Sequence, residues 1–213
     1  MKLSTLFRLE ENLHLDRKTL VNLRWIAILG QLFAVNFVYN YLNLQFPIYE
    51  THIIILFGFS TNLYLQFRIK INQLKDFHSA VFLVYDLIQL SALLYLTGGI
   101  TNPFSILLII PSIVSSTFLS MGTTIILGAL TIFSLVILTN FYQPLPSFDT
   151  FSFIFPDYYI LGIFVSIIIG LVFLSYFGIK FSGESKKRSD ALDKLQEVMA
   201  KEYELDSLGG LAA

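Results

Sequence analysis

Residues 104 to 141 form a run of 38 without one charged side chain. As a single helix that run would be about 57 Å long, nearly twice the roughly 30 Å hydrocarbon core of a bilayer. Ser120-Met121-Gly122 is the only break near its middle, so the run reads as two crossings rather than one. The rest of the chain cuts on the same ruler. Six spans result, near Trp25 to Asn43, Ile48 to Phe67, Ser79 to Leu96, Phe104 to Leu119, Thr123 to Phe141 and Tyr158 to Phe181. A composition 55% hydrophobic and only 14% charged, with a mean hydropathy of +0.69, leaves no room for a soluble domain of this length. The fold expected is an all-α polytopic membrane protein, six transmembrane helices followed by a cytoplasmic helical stalk. Its parts are an N-terminal segment over 1–24, the membrane domain over 25–181 and a signalling or dimerisation helix over 182–213.

Orientation follows from the basic residues. Lys2, Arg8, Arg17, Lys18 and Arg24 precede span one, Arg68, Lys70 and Lys75 join spans two and three, and the remaining six cluster at and beyond the end of span six. All fourteen fall on one side, which the positive-inside rule makes cytoplasmic; loops 44–47, 97–103 and 142–157 carry none and lie outside. In the last of these, Phe148, Phe151, Phe153 and Phe155 suit the headgroup boundary. With 14 basic against 15 acidic residues the net charge points to no nucleic-acid partner, and zero cysteines exclude disulfides, thiolate nucleophiles and Cys-type metal sites in these residues.

Polar side chains inside the spans are expensive, and so they are the first places to look for function. Asp86 lies in span three, where an ionised carboxylate costs roughly 2.5 to 3.5 kcal/mol on insertion scales. At helical spacing His78, Phe82, Asp86, Gln89, Leu93 and Thr97 share one stripe. Gln31 and Asn36 in span one are candidate partners for it. Asp86, Gln89 and Gln31 therefore form a candidate intramembrane polar site, with simple interhelical hydrogen bonding as the competing reading. Gly162, Ser166, Gly170 and Gly178 in span six are small residues that let another helix approach, within this chain or from a second subunit. Pro111, followed by Ser112, Ser115, Ser116 and Thr117, predicts a kink in span four whose freed carbonyls are met by hydroxyls or neighbours.

Between spans three and four the chain reads Thr97-Gly98-Gly99-Ile100-Thr101-Asn102-Pro103-Phe104. Either glycine can end a helix in the left-handed conformation, Asn102 can cap the next helix, and Pro103 suits its first position. The same atoms can also serve a flat ligand. Glycines expose backbone N–H groups, Asn102 offers a donor and an acceptor, and Phe104 offers a stacking face.

Gly98 to Phe104 resembles the GGxxNPF heptapeptide of the RegB/PrrB/ActS family of redox-responsive sensor histidine kinases. Asn22-Leu23-Arg24-Trp25 with Gly30-Gln31, and Tyr85-Asp86-Leu87-Ile88-Gln89-Leu90 leading into Leu94-Tyr95-Leu96-Thr97, are similar to that family's first and third spans. The resemblance implies a six-span sensor in a bacterial inner membrane, with ubiquinone as the sensed ligand. It implies Gly98, Gly99, Asn102, Pro103 and Phe104 as the quinone-binding residues. It further implies a homodimer, and a response regulator as partner of a kinase part that uses ATP and Mg.

After Phe181 the chain turns polar. Lys186-Lys187-Arg188 suits anionic lipid, and Leu192, Leu195, Val198, Met199, Leu205 and Leu208 recur at spacings of three and four, as in an amphipathic helix or dimer stalk. Asp206 to Ala213 is similar to the family's lead-in to its phosphoacceptor histidine. His14, His52 and His78 do not match that histidine, so no catalytic residue and no metal ligand set is expected in these 213 residues. The reading is then the sensor portion of a longer kinase. Two competitors are a small transporter or channel, with Asp86, Gln89 and His78 lining its path, and a free-standing quinone- or lipid-binding membrane module.

Overall fold

The computed structural model describes residues 15–147 and 154–211, the last with side chains to 203. Phe148, Phe151, Phe153, His14, Lys2 and Arg8 lie outside the described residues, as do the side chains of the Asp206 to Ala213 stretch. Helix α1 (Arg17–Asn36) runs on through a π turn, Phe37–Tyr41; α2 is Ile48–Phe67 and α3 is Asp76–Leu96. Two 3-10 segments, Gly99–Thr101 and Pro103–Ile109, lead into α4 (Ile110–Phe118), followed by α5 (Met121–Asn140) and α6 (Asp157–Leu211). The protein is thus an all-α polytopic membrane protein. By length and composition Arg17–Tyr41, Asp76–Leu96, Met121–Asn140 and the start of α6 are long and apolar enough to cross a membrane, and Pro103–Phe118 is a shorter apolar unit. Helix α2 is as long as α5 but carries Glu50, His52 and Asn62 among its residues, which lowers its hydropathy.

Three boundaries differ from the sequence expectation. Helix α1 begins at Arg17 rather than near Trp25, because Asp16 and Leu15 pair antiparallel with Gln73 and Leu74 and lead directly into the first turn. That two-residue ribbon places Leu15 and Leu74 in a buried cluster with Leu20, Leu65, Leu83 and Leu127. Span four starts as a 3-10 helix and becomes α-helical at Ile110, beside Pro111, whose missing N–H would break an α-helical ladder there. Helix α6 shows no break near 181 and continues unbroken into the polar tail.

A second cluster holds the other half together. Leu87 and Leu94 of α3 pack with Leu108 and Ile109, Leu135 and Leu138 of α5, and Ile167 and Leu171 of α6. Among the glycines of α6 whose surroundings are described, only Gly178 meets a neighbouring helix: a Cβ there would overlap the Ser116 hydroxyl of α4. Gly162 and Gly170 have open space where their Cβ would stand, and Ser166 is exposed, so that part of the small-residue stripe packs on nothing among the described residues.

Candidate functional site

Helices α1 and α3 run in the same direction, so residues low on one helix face residues low on the other. Arg24 of α1 is 3% exposed; its Nε donates to Asp86 Oδ1 at 2.9 Å. Its Nη2 donates to Thr61 Oγ1 of α2 at 2.8 Å, and the guanidinium lies over the rings of Phe82 and Tyr85. Charge, hydrogen bonds and aromatic faces together replace the water that both ions lose. Nη1 is buried without a hydrogen-bond partner among the described residues. Two turns further along α1, about 10 Å by helical rise, Gln31 Oε1 accepts from Gln89 Nε2 at 3.1 Å. Gln89 is itself buried, and its amide sits directly on Gly58 of α2, where any Cβ would overlap it.

These groups share a wall. A cavity of about 470 Å³ lies between α1 on one side and α3 with residues 104–114 on the other. Arg24, Asp86, Gln31 and Gln89 line its inner length, and Thr97, Asn102 and Phe104 line the end next to the 3-10 segments. Nearly all else that faces it is aliphatic, including Leu93, Leu107 and Val114. Such a site suits an apolar molecule with a few hydrogen-bonding atoms.

The loop itself is built as its residues dictate. Gly98 and Gly99 have φ of 113° and 58°, in the region where only glycine is unstrained. Asn102 Oδ1 accepts from Phe104 N at 2.9 Å, and Pro103 takes the first helical position. Asn102 Nδ2 donates to Thr97 O at 2.8 Å and Thr97 Oγ1 at 2.9 Å, which occupies both amide hydrogens.

Several expected site residues are therefore placed differently. A side chain on Gly98 would run into Leu145, and one on Gly99 into Tyr142 and the Leu138 carbonyl. The missing Cβ atoms thus admit protein, not a ligand. Pro103 is exposed and does not line the cavity, and His78 is exposed at the other end of α3. Asn36 bonds Leu32 O and His52 instead of Asp86. Gln31, Gln89, Asp86, Asn102 and Phe104 do line this same cavity.

Arg24, Thr61 and Gly58 are the residues that sequence reasoning missed. Arg24 stands among the basic residues that set orientation, yet it lies seven before Gln31, on the same helical face, and that spacing is the signal that could have found it. Asp76 was missed as well. It accepts from Ser120 N at 2.8 Å, from Ser120 Oγ at 3.0 Å and from Thr123 Oγ1, and so ties the start of α3 to the start of α5.

Comparison with known proteins follows the same outline. Residues 11–192 match the family model described as the PilS-like transmembrane domain. The chain belongs to that family. As a PilS-like transmembrane domain it is also similar to "Sensor histidine kinase RegB" of Cereibacter sphaeroides, 36% identical over 197 residues. The likeness covers 92% of this chain and 43% of that protein, so the chain spans less than half of its relative's length. No solved structure matches it.

Proposed function

We propose that this PilS-like transmembrane domain is the membrane sensor portion of a two-component, redox-responsive histidine kinase, and that it reads the quinone pool. The observation that carries this reading is the cavity. One largely aliphatic space is bordered by a few fixed polar groups and by Phe104, which fits a molecule with a flat polar ring and an apolar tail. The Gly98–Phe104 loop shapes one end of it, with Gly98, Gly99, Pro103 and Asn102 holding the backbone that presents Phe104. On this reading the spans cross a bacterial inner membrane six times with both ends cytoplasmic, since the described basic residues lie at one end.

For a ligand to signal, its oxidised and reduced forms must prefer two different helix arrangements; equal affinity for both shifts nothing. Span four is suited to report such a preference. Phe104, Leu107 and Pro111 face the cavity, whereas Ser116 abuts Gly178 of α6. Helix α6 then runs unbroken to residue 211, so a shift at that contact reaches the tail without a hinge. The similarity to a protein called a sensor histidine kinase supports the output: ATP- and Mg-dependent phosphorylation of a histidine, in a homodimeric parent, then transfer to a response regulator.

The test is a titration of the protein in lipid nanodiscs with a benzoquinone carrying a ten-carbon tail. Saturable binding, weakened in the Asn102→Ala plus Phe104→Ala double variant, is the expected result. Equal affinity in that variant removes the loop from the site, and no saturable binding in wild type rejects the quinone reading.

A further inference from the structure

The Gln31–Gln89 pair uses one of its four N–H donors and one of its four acceptor lone pairs on itself. Two carboxamides carry two NH2 groups and two carbonyl oxygens, and here one of each is spent on the other. Gln31 Nε2 and Gln89 Oε1 bond to nothing among the described residues, and neither belongs to the fully enclosed, partnerless atoms. Both side chains line the cavity. Turning both amides over exchanges the roles and leaves the same outcome, one wholly free NH2 group and one free carbonyl.

That leftover pair contrasts with Asn102, whose two amide hydrogens are already spent on Thr97. It is also held in place. Gly58 packs against the amide of Gln89, a residue that is 7% exposed, so the group cannot swing toward α2. Gln89 lies eight residues before Thr97, about 12 Å along α3, further than one six-membered ring spans from the loop. A ring at the glutamines thus leaves the tail or the ring's substituents for Phe104.

We propose that Gln31 and Gln89 are the headgroup contacts of the cavity, donating one hydrogen bond to a ring carbonyl and accepting one from a ring hydroxyl. This rests on the quinone reading above and moves the polar recognition from the loop to the paired glutamines. A quinone offers acceptors alone and engages the free N–H. A quinol offers hydroxyl donors and engages the free carbonyl as well, so the pair is equipped to distinguish the two forms. Asn102 becomes a positioning residue that holds the loop.

The experiment titrates the whole chain in nanodiscs with the ten-carbon-tailed benzoquinone and, separately, with its reduced form. Gln31→Met and Gln89→Met keep side-chain length and remove both polar atoms; Gly58→Ala keeps the amides but displaces that of Gln89. Helical circular dichroism and gel filtration check that each variant is folded. The expected result is about fivefold or greater weakening in each Met variant, the loss of roughly one hydrogen bond, with the double variant little worse than either single one. The Gly58→Ala chain, which removes no polar atom, weakens in the same direction and serves if a Met variant misfolds. Infrared difference spectra give a second readout: the bound quinone carbonyl stretch moves toward its free value in Gln31→Met. Wild-type affinity in all three folded variants overturns the assignment while leaving the quinone reading intact. Absence of saturable binding in wild type overturns both.

Discussion

In the first three helices, neighbours are chosen by hydrogen bonds. Arg24 reaches Asp86 and Thr61, Gln31 meets Gln89, Trp25 Nε1 donates to Gln66 Oε1, and Asn62 Nδ2 donates to Val21 O. In the last three they are chosen mainly by shape, through the aliphatic cluster around Leu135 and Ile167 and the Gly178–Ser116 contact. Among the described residues the polar side-chain contacts between those helices are made by hydroxyls, Ser112 with Thr131, Ser115 with Thr124 and Thr131 with the Leu108 carbonyl. The contrast has a physical root. Lipid tails are as apolar as leucine, so burying leucine against leucine does not by itself select a partner in a membrane; close packing and hydrogen bonds do. The candidate site lies where the two kinds of region meet, with polar groups on α1 and α3 and an aliphatic wall from 104–114.

That comparison can be broken most sharply at its strongest point. Arg24→Leu leaves Asp86, whose side chain is only one quarter exposed, without its counter-charge and is expected to cost about 3 kcal/mol, the low end for breaking a buried pair. The midpoint of unfolding in mixed micelles measures it. Arg24→Leu with Asp86→Leu should recover most of that loss, because the unpaired charge is gone; a single variant as stable as wild type would show that the pair holds nothing. In the shape-selected half, Gly178→Ala forces a methyl group onto Ser116 and should cost about 1–3 kcal/mol. Adding Ser116→Ala should return much of it, and no recovery would mean that the contact is not the cause.

Smaller effects sharpen the picture. Asp76→Ala strips the Ser120 N–H and two hydroxyls of their acceptor at the start of α5, a loss of about 1 kcal/mol. Faster hydrogen exchange at the Ser120 amide is the readout. Thr131→Val removes the hydroxyl that pairs with Ser112 across the helices and bonds Leu127 O within α5; the interhelical loss should cost about 0.6 kcal/mol, the usual size for a hydrogen bond between membrane helices. A cost there that rivals Arg24→Leu would erase the distinction between the halves.

The helical plan was legible in the sequence because apolar run length is a one-dimensional quantity. The uncharged 104–141 run and its break at Ser120-Met121-Gly122 correspond to α4 and α5, with Ser120 as the N-cap of α5. Asn102 and Pro103 were legible as helix-start residues for the same local reason. What was not legible depends on pairing at a distance. Arg24 looked like one more basic residue near the entry of span one, since nothing within α1 records that Asp86 stands opposite, 62 positions away. The sequence leaves the glycines of the loop open to a ligand because it does not say what fills the space beside them. Leu145 and Tyr142, from a different loop, fill it.

The most direct test of the account is to map where a quinone rests. A ten-carbon-tailed benzoquinone bearing a photoreactive azide would be crosslinked to the wild-type chain in nanodiscs, and the labelled peptides read by mass spectrometry. The account predicts label in α1 around Gln31, in α3 around Gln89 and in residues 104–114, suppressed by excess unlabelled quinone. Label confined to the outward faces of α5 and α6, or label that competitor does not reduce, would contradict it.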